Sequence, residues 1–367
     1  MKWLCKNMRT GLLMGVMVVL LSSVLFLTGC RRREQDPEEN SGATQNQNQQ
    51  DQQNHQEGYR TGLAIHTSMG NSVDAGDTEG IAQVDLLAMA VLLDEEGRIV
   101  DCSLDMLEAP MYFSATGQVT SSLDQAFQTK KELGDDYGMR AASGIGKEWY
   151  EQVEAFERYV QGKTIEEVEG IALTETTAPA EEELSASVTI KIGEYIDILV
   201  RAAENAQVIG SGAGDRIGLG IQTHMRNSKD AADGEDGSCQ AYAYYAAVTT
   251  NGDGVVTGCI VDSTQTDVTF DEKGQLTVED LNESSVSKKE LGSDYGMKAA
   301  SGIGKEWYEQ AEAFEEYING KTLEEIKGIA VDENLRPSEE ELSASVTIAI
   351  GDFQSVIEKA FARIKAK

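Results

Sequence analysis

The feature that most constrains this chain is that it repeats itself. Residues 130 to 172 (KKELGDDYGMRAASGIGKEWYEQVEAFERYVQGKTIEEVEGIA) return at 288 to 330 (KKELGSDYGMKAASGIGKEWYEQAEAFEEYINGKTLEEIKGIA), with 34 of 43 positions identical at an offset of 158. The block Glu181-Glu182-Glu183-Leu184-Ser185-Ala186-Ser187-Val188-Thr189-Ile190 comes back unchanged at 339 to 348. Upstream the likeness is fainter: Gly62-Leu63-Ala64-Ile65 pairs with Gly218-Leu219-Gly220-Ile221, and Cys102 with Cys259. Whatever fold one copy adopts, the other must adopt as well. Copies of about 150 residues are each long enough to bury a core, unlike the short units of a solenoid. The expected organisation is residues 59–208 as repeat 1, a Gly-rich hinge at 209–215 (IGSGAGD), and residues 216–367 as repeat 2.

Each copy reads as α+β, an antiparallel sheet with helices packed on it. Residues 82–94 and 98–106 are apolar runs separated by Glu95-Glu96-Gly97, a hairpin signal that Asn251-Gly252-Asp253-Gly254 repeats in the second copy. Trp149, Val153, Phe156 and Val160 recur at spacings of three and four, one apolar stripe of a helix for which Ser143 is a plausible start. Thr164-Ile165-Glu166-Glu167 has the form of a capped short helix. Amphipathic helices are expected from Gly193 to Ala203 and from Gly351 to Ala362.

The N-terminus sets the compartment. Lys2, Lys6 and Arg9 precede the uncharged run GLLMGVMVVLLSSVLFLT (11–28), and Leu27-Thr28-Gly29-Cys30 closes it. Residues 1–29 therefore read as a secretory leader. The Leu-x-Gly-Cys ending resembles the bacterial lipobox, whose Cys receives a diacylglycerol and becomes the first mature residue. This implies lipidation at Cys30 and an acyl-chain anchor in the cell membrane, with the chain facing the extracytoplasmic side. Residues 30–58 carry no large apolar side chain after Cys30 and read as a disordered tether.

The full chain carries a net charge of −32, and losing the leader's three positive residues makes it −35. So acidic a surface repels nucleic acid, which is excluded as a partner. Beyond Cys5 and Cys30 there remain Cys102, Cys239 and Cys259; an odd count excludes a complete disulfide framework, so these are expected to act as small apolar residues, buried or solvated. His55, His66 and His224 share no metal-ligand spacing, and no nucleophile elbow or paired catalytic carboxylate supports a hydrolase.

Three repeated motifs remain. Ser143-Gly144-Ile145-Gly146-Lys147 and Ser301-Gly302-Ile303-Gly304-Lys305 are Gly-rich turns into a helix, able to present N–H groups to an anion or simply to cap the helix; the Walker spacing is absent. Tyr137-Gly138-Met139 and Tyr295-Gly296-Met297 suit core plugging or stacking on a planar ligand, and Lys130-Lys131 and Lys288-Lys289 read as a solvated basic face. Ser185 to Thr189 suits helix capping.

The order of parts (hairpin, middle helix ending near Gly-Lys-Thr, then a small-residue and Thr motif before a final helix) resembles the FMN-binding domain family of sodium-pumping and Rnf-type respiratory complexes and of Gram-positive surface flavin lipoproteins. That family's motif is Ser/Thr-Gly-Ala-Thr, whose last Thr can carry FMN through a phosphoester. The resemblance places Ala186, Ser187 and Thr189, with Ala344, Ser345 and Thr347, in the cofactor site, and implies an electron-transfer role with membrane redox partners. Here the motif's Gly is Ser187 or Ser345 and its Ala is Val188 or Val346. An unaltered Ser41-Gly42-Ala43-Thr44 lies in the tether. The alternative is a non-redox surface lipoprotein, solute-binding or structural, on the same fold.

Overall fold

A computed structural model describes residues 58–366; the leader, Cys30, Thr44 and the tether as far as residue 57 lie outside the described residues. Both copies build the expected α+β unit. In the first, β1 (Arg60–Ser68), β2 (Gly80–Leu93) and β3 (Ile99–Phe113) form an antiparallel sheet in the order β1-β2-β3. Then come α1 (Lys130–Leu133), α2 (Trp149–Val160), α3 (Ile165–Glu169), α4 (Glu182–Ser185) and α5 (Gly193–Glu204). The second copy repeats this as β4 (Arg216–His224), β5 (Gly237–Thr250), β6 (Val256–Phe270), α6 (Lys288–Leu291), α7 (Trp307–Ile318), α8 (Leu323–Lys327), α9 (Glu340–Ser343) and α10 (Gly351–Ala366).

The central strands explain the layering. Successive side chains of a strand point to opposite faces. On β2, Val84, Leu86, Ala88, Ala90 and Leu92 face one way and Leu87, Met89, Val91 and Leu93 the other, and all are buried. A strand apolar on both faces needs cover on both. One face of each sheet is covered by that repeat's own helices: Trp149, Val153 and Phe156 of α2 with Ile198 and Leu199 of α5 in repeat 1, and Trp307, Phe314, Phe353 and Ile357 in repeat 2. The other face meets the other repeat's sheet, so that Leu63, Ile65, Leu86 and Met111 pack in one core with Leu219, Ile221, Tyr245 and Val268. The layers run helix, sheet, sheet, helix.

An approximate twofold axis relates the halves, since cross-repeat contacts come in matched pairs. The rings of Phe113 and Phe270 stack 4.2 Å apart and 6° from parallel. Ala75 N–H donates to the Gly274 carbonyl (2.8 Å) as Ala231 N–H does to Gly117 (2.7 Å). Leu276 N–H donates to Asp74 and Val119 N–H to Asp230, both at 2.7 Å. Arg201 reaches Glu290 at 3.4 Å, and its counterpart Lys359 reaches Glu132 at 2.9 Å. The segment 209–215, read from the sequence as a hinge, is stitched to both repeats: Ser211 Oγ lies 2.6 Å from Thr61 Oγ1 and 2.9 Å from Thr249 Oγ1, and Asp215 accepts from Thr257 Oγ1 at 2.6 Å.

Three local expectations need correction. Ser143 does not start α2; the helix begins at Trp149 behind a capping box formed by Glu148 and Glu151, and the Gly-rich residues before it stay in turns. Neither Ser187 nor Thr189 caps α5, whose N-cap is Ile192 without a side-chain hydrogen bond. The final helix of repeat 2 runs to Ala366, beyond the expected Ala362. Cys102, Cys239 and Cys259 are buried thiols, none of them in a disulfide among the described residues.

The last helix of each repeat lies backbone-to-backbone on the first strand. A Cβ at Gly62 would come within 1.9 Å of the Ala202 carbonyl oxygen, and one at Gly218 within 2.1 Å of that of Ala360. Gly218→Ala should therefore lower unfolding stability by about 1–3 kcal/mol, the usual range for overpacking, in urea denaturation. Gly252→Ala, where an added Cβ meets open space, should change it by less than about 0.5 kcal/mol.

Candidate functional site

The two motifs singled out in each repeat, far apart in sequence, meet through one buried glutamine. Gln152, fully buried on α2, accepts at Oε1 from Thr189 N–H (2.8 Å), Thr189 Oγ1–H (3.2 Å) and Ile190 N–H (3.3 Å). Its Nε2 donates to Ser143 Oγ and to the Lys147 carbonyl, both at 3.3 Å. Repeat 2 reproduces the bridge: Thr347 N–H and Oγ1–H donate to Gln310 Oε1 at 2.7 and 3.0 Å, and Gln310 Nε2 reaches Ser301 Oγ (3.2 Å) and the Lys305 carbonyl (3.3 Å). The Gly-rich loop and the threonine segment thus share one polar node. The sequence signal was available: Gln152 and Gln310 sit at equal places in the repeated block, a polar residue on the apolar side of a helix.

Thr189 is exposed and Thr347 half-buried. Val188 and Val346 beside them are fully buried and pin the segment to the core. Ala186 and Ala344 are exposed, Ser187 and Ser345 half-buried, and Ser345 Oγ donates back to Leu342 O at 3.3 Å. A Cβ placed at Gly144, Gly146, Gly302 or Gly304 meets nothing within 4 Å, so each loop faces open space. The threonine hydroxyl gives its proton to an amide oxygen, which is no base; its own lone pairs stay available, and any nucleophilic step would need an external base. Among the described residues no group of three or more His, Cys, Asp or Glu is placed to hold a metal ion.

The lysine pairs overturn the expectation of a solvated face. Lys130, Lys131 and Lys288 are buried, and the Lys289 side chain is only 21% exposed. Lys130 Nζ pairs with Glu108 at 2.7 Å and lies over the rings of Tyr137 and Trp149. Lys288 has Gln265 where repeat 1 has Glu108; it hydrogen-bonds the Tyr242 hydroxyl and sits among the faces of Tyr242, Tyr295 and Trp307, 4.6–5.4 Å from their centroids. Tyr137 and Tyr295 therefore hold the chain's own lysines, and Met139 and Met297 pack against the helix-side cores. The second lysine of each pair meets a buried glutamate: Lys131 with Glu157, Lys289 with Glu315, both at 2.7 Å. Each glutamate also accepts a strand N–H, from Leu104 or Val261. Asp105 and Asp262 accept the N–H of Lys131 and Lys289 at 3.1 Å, so two carboxylates dock each short KKEL helix on its sheet.

Burial sets the acidity of these groups. It raises Glu315 to about 7 and Asp262 to about 6, with Lys289 offsetting only part of the effect for each. Desolvation likewise raises Asp105, against Lys131 and Arg363. In repeat 2 burial lowers His224, which leans on Tyr242 and Tyr244.

Two tests follow from this geometry. Gln310→Leu keeps the bulk and strips the acceptor from Thr347, so it should cost about 1–3 kcal/mol in chemical denaturation. A carboxyl raised in the folded state binds its proton there more tightly than in the unfolded chain, so its contribution to stability falls as pH rises, for Glu315 between about 4.5 and about 7. Glu315→Gln carries no titrating proton; its stability relative to the parent should improve steadily as pH is raised from 5 to 8 on the order of that window.

Compared with curated proteins, 97 residues are 34% identical to chlorophenol reductase of Desulfitobacterium hafniense, covering 23% of this chain. The chain spans about 30% of the length of that relative. No family model and no solved structure matches the chain.

Proposed function

We propose that this is a lipid-anchored extracytoplasmic protein with an FMN attachment site in each repeat, at Thr189 and Thr347, that passes electrons between membrane redox partners and acceptors outside the cell. The observation that carries the reading is the accessible threonine hydroxyl beside an open Gly-rich loop, built twice with the same glutamine bridge. FMN, when bound, supplies reversible electron transfer. The chain's part would be to hold the threonine at a fixed place through Gln152 or Gln310, with Lys147 or Lys305 on the same loop to balance a phosphate. Ser187 and Ser345 add a hydroxymethyl group where the motif has glycine, and the latter's hydroxyl is turned to its own short helix. The Leu27-Thr28-Gly29-Cys30 ending supports an anchor through lipidated Cys30. The similarity to a protein called a reductase fits a redox role.

A second reading, a non-redox solute-binding or structural lipoprotein, is favoured by one observation: neither of two clefts that open between the repeats is lined by Thr189 or Thr347.

Co-expression with a flavin transferase separates the two. The redox reading expects a yellow protein whose intact mass rises by two FMN groups, with Thr189→Ala and Thr347→Ala each removing one. A colourless chain of unmodified mass sinks it, and flavin retained until Thr44→Ala moves attachment to the tether.

A further inference from the structure

Two clefts open where one repeat's helices meet the other repeat, and the approximate twofold axis relates them. The smaller, about 240 Å³, lies among Lys131, Glu157 and Arg158 of repeat 1 and Arg216 and Arg363 of repeat 2. The larger, about 810 Å³, lies between β1 and residues 205–208 of repeat 1, with Ile209 of the connecting segment, and β6, α6 and α7 of repeat 2. Their lining residues correspond at the repeat offset: Lys131 with Lys289, Glu154 with Glu312, Glu157 with Glu315, Arg158 with Glu316, and Arg363 with Asn205.

The same scaffold has thus been finished in two ways. In the smaller cleft the protein brings its own guanidinium groups to the buried acids: Arg216 Nε is 3.0 Å from Asp101, and Arg363 Nε is 4.0 Å from Asp105. In the larger, Asp262 takes the place of Asp105, but the arginine facing it is replaced by Asn205, and Arg158 by a further acid, Glu316. Five carboxylates (Asp262, Glu290, Glu312, Glu315 and Glu316) line it against one ammonium, Lys289, which is already paired with Glu315. In the ion pairs among the described residues, Arg201 of repeat 1 is paired with Glu290. The rest of the wall mixes apolar side chains (Leu63, Ile65, Ile209, Ile260 and the Tyr308 ring) with the neutral polar ones of Asn205, Gln207, Ser287 and Asn319. The volume suits a small molecule.

We propose that the larger cleft binds an organic cation, a guanidinium, amidinium or amine on an apolar body, which supplies the charge that arginine side chains supply in the related cleft. The inference goes beyond the flavin reading and stands without it. Around Glu315 the facing charged groups are Lys289 from α6 and Glu312 on its own helix, and Asp262 from β6 acts on the same Lys289. A bound cation favours their ionised forms, so binding should tighten as pH rises past the values burial gives Asp262, about 6, and Glu315, about 7.

The test is isothermal titration calorimetry on the full chain with benzamidine and with agmatine, and with neutral benzamide as the isostere. One saturable site per chain is expected for at least one cation, with about tenfold or weaker affinity for benzamide and weaker cation binding at pH 5.5 than at 7.5. Asn205→Arg with Glu316→Arg, which restores the counterparts of Arg363 and Arg158 of the smaller cleft, should abolish binding. Glu312→Gln with Glu316→Gln, which keeps the shape, should weaken it severalfold even if the arginine variant does not fold. Thr189→Ala with Thr347→Ala should bind as the parent does. Absence of saturable binding by both cations, equal binding of benzamide, or an unchanged affinity in the glutamine variant overturns the proposal.

Discussion

The apolar layer between the two sheets is the contact on which the rest depends. Each sheet has only three strands, and its central strand is buried on both faces. With helices on one side alone, a row such as Val84, Leu86, Ala88, Ala90 and Leu92 would stand in water. At about 25 cal/mol per Å² of apolar surface, exposing such a face would remove a large part of the stability of a domain that is only marginally stable. The second repeat is what covers it. The tight crossing of α5 over Gly62 and of α10 over Gly218 matters for the same reason, because it seats the outer layer that closes the opposite face.

That dependence explains where the repeats have stayed alike and where they have drifted. The near-identical stretch builds the outer layer, where the apolar sides of α2 and α7 pack on their own repeat's sheet, so both copies solve one packing problem. The strands solve a joint one. Leu86 of β2 corresponds to Ala243 of β5, and Ala88 to Tyr245, all in the shared core. A large residue in one sheet is balanced by a small one in the other, so packing density is kept by complementarity rather than by identity. Tyr245 brings a hydroxyl into this layer, met by Thr264 Oγ1 at 2.9 Å. Phe113 and Phe270 stay the same because they meet each other across the axis, where identity and complementarity coincide.

The sequence made the repeat, the hairpins, the apolar stripe of α2 and the α+β class legible, because each is written in local periodicity and turn residues. It was silent on whether the copies pack together, since an apolar strand face does not name its partner. It misled on Lys130, Lys131, Lys288 and Lys289: a lysine reads as solvated until the glutamate or the aromatic faces that receive it, such as Glu157 or Trp307, are brought up from several helical turns and a loop further along the chain. Their exact recurrence beside drifting surface charges was the readable hint. For the candidate site, both motifs were visible but not their meeting, which hangs on Gln152 and Gln310 reaching across 37 residues to Thr189 and Thr347.

Joining two copies in one chain also frees them from symmetry. A dimer of identical subunits must carry the same residue at both clefts of a twofold pair, so any arginine that fills one fills the other. In a tandem chain position 158 can be arginine while its counterpart 316 is glutamate, and Arg363 can answer Asp105 while Asn205 leaves Asp262 without a cation from the opposite repeat. The filled cleft then acts as a clasp, its ion pairs tying the halves together, while its relative keeps volume and unbalanced negative charge. Buried carboxylates left so cost folding free energy, and Glu315 shows the cost in its raised proton affinity. A fold that carries such a cleft on one side and has closed it on the other has the means to close both; the open one persists at an energetic expense that a bound cation would offset.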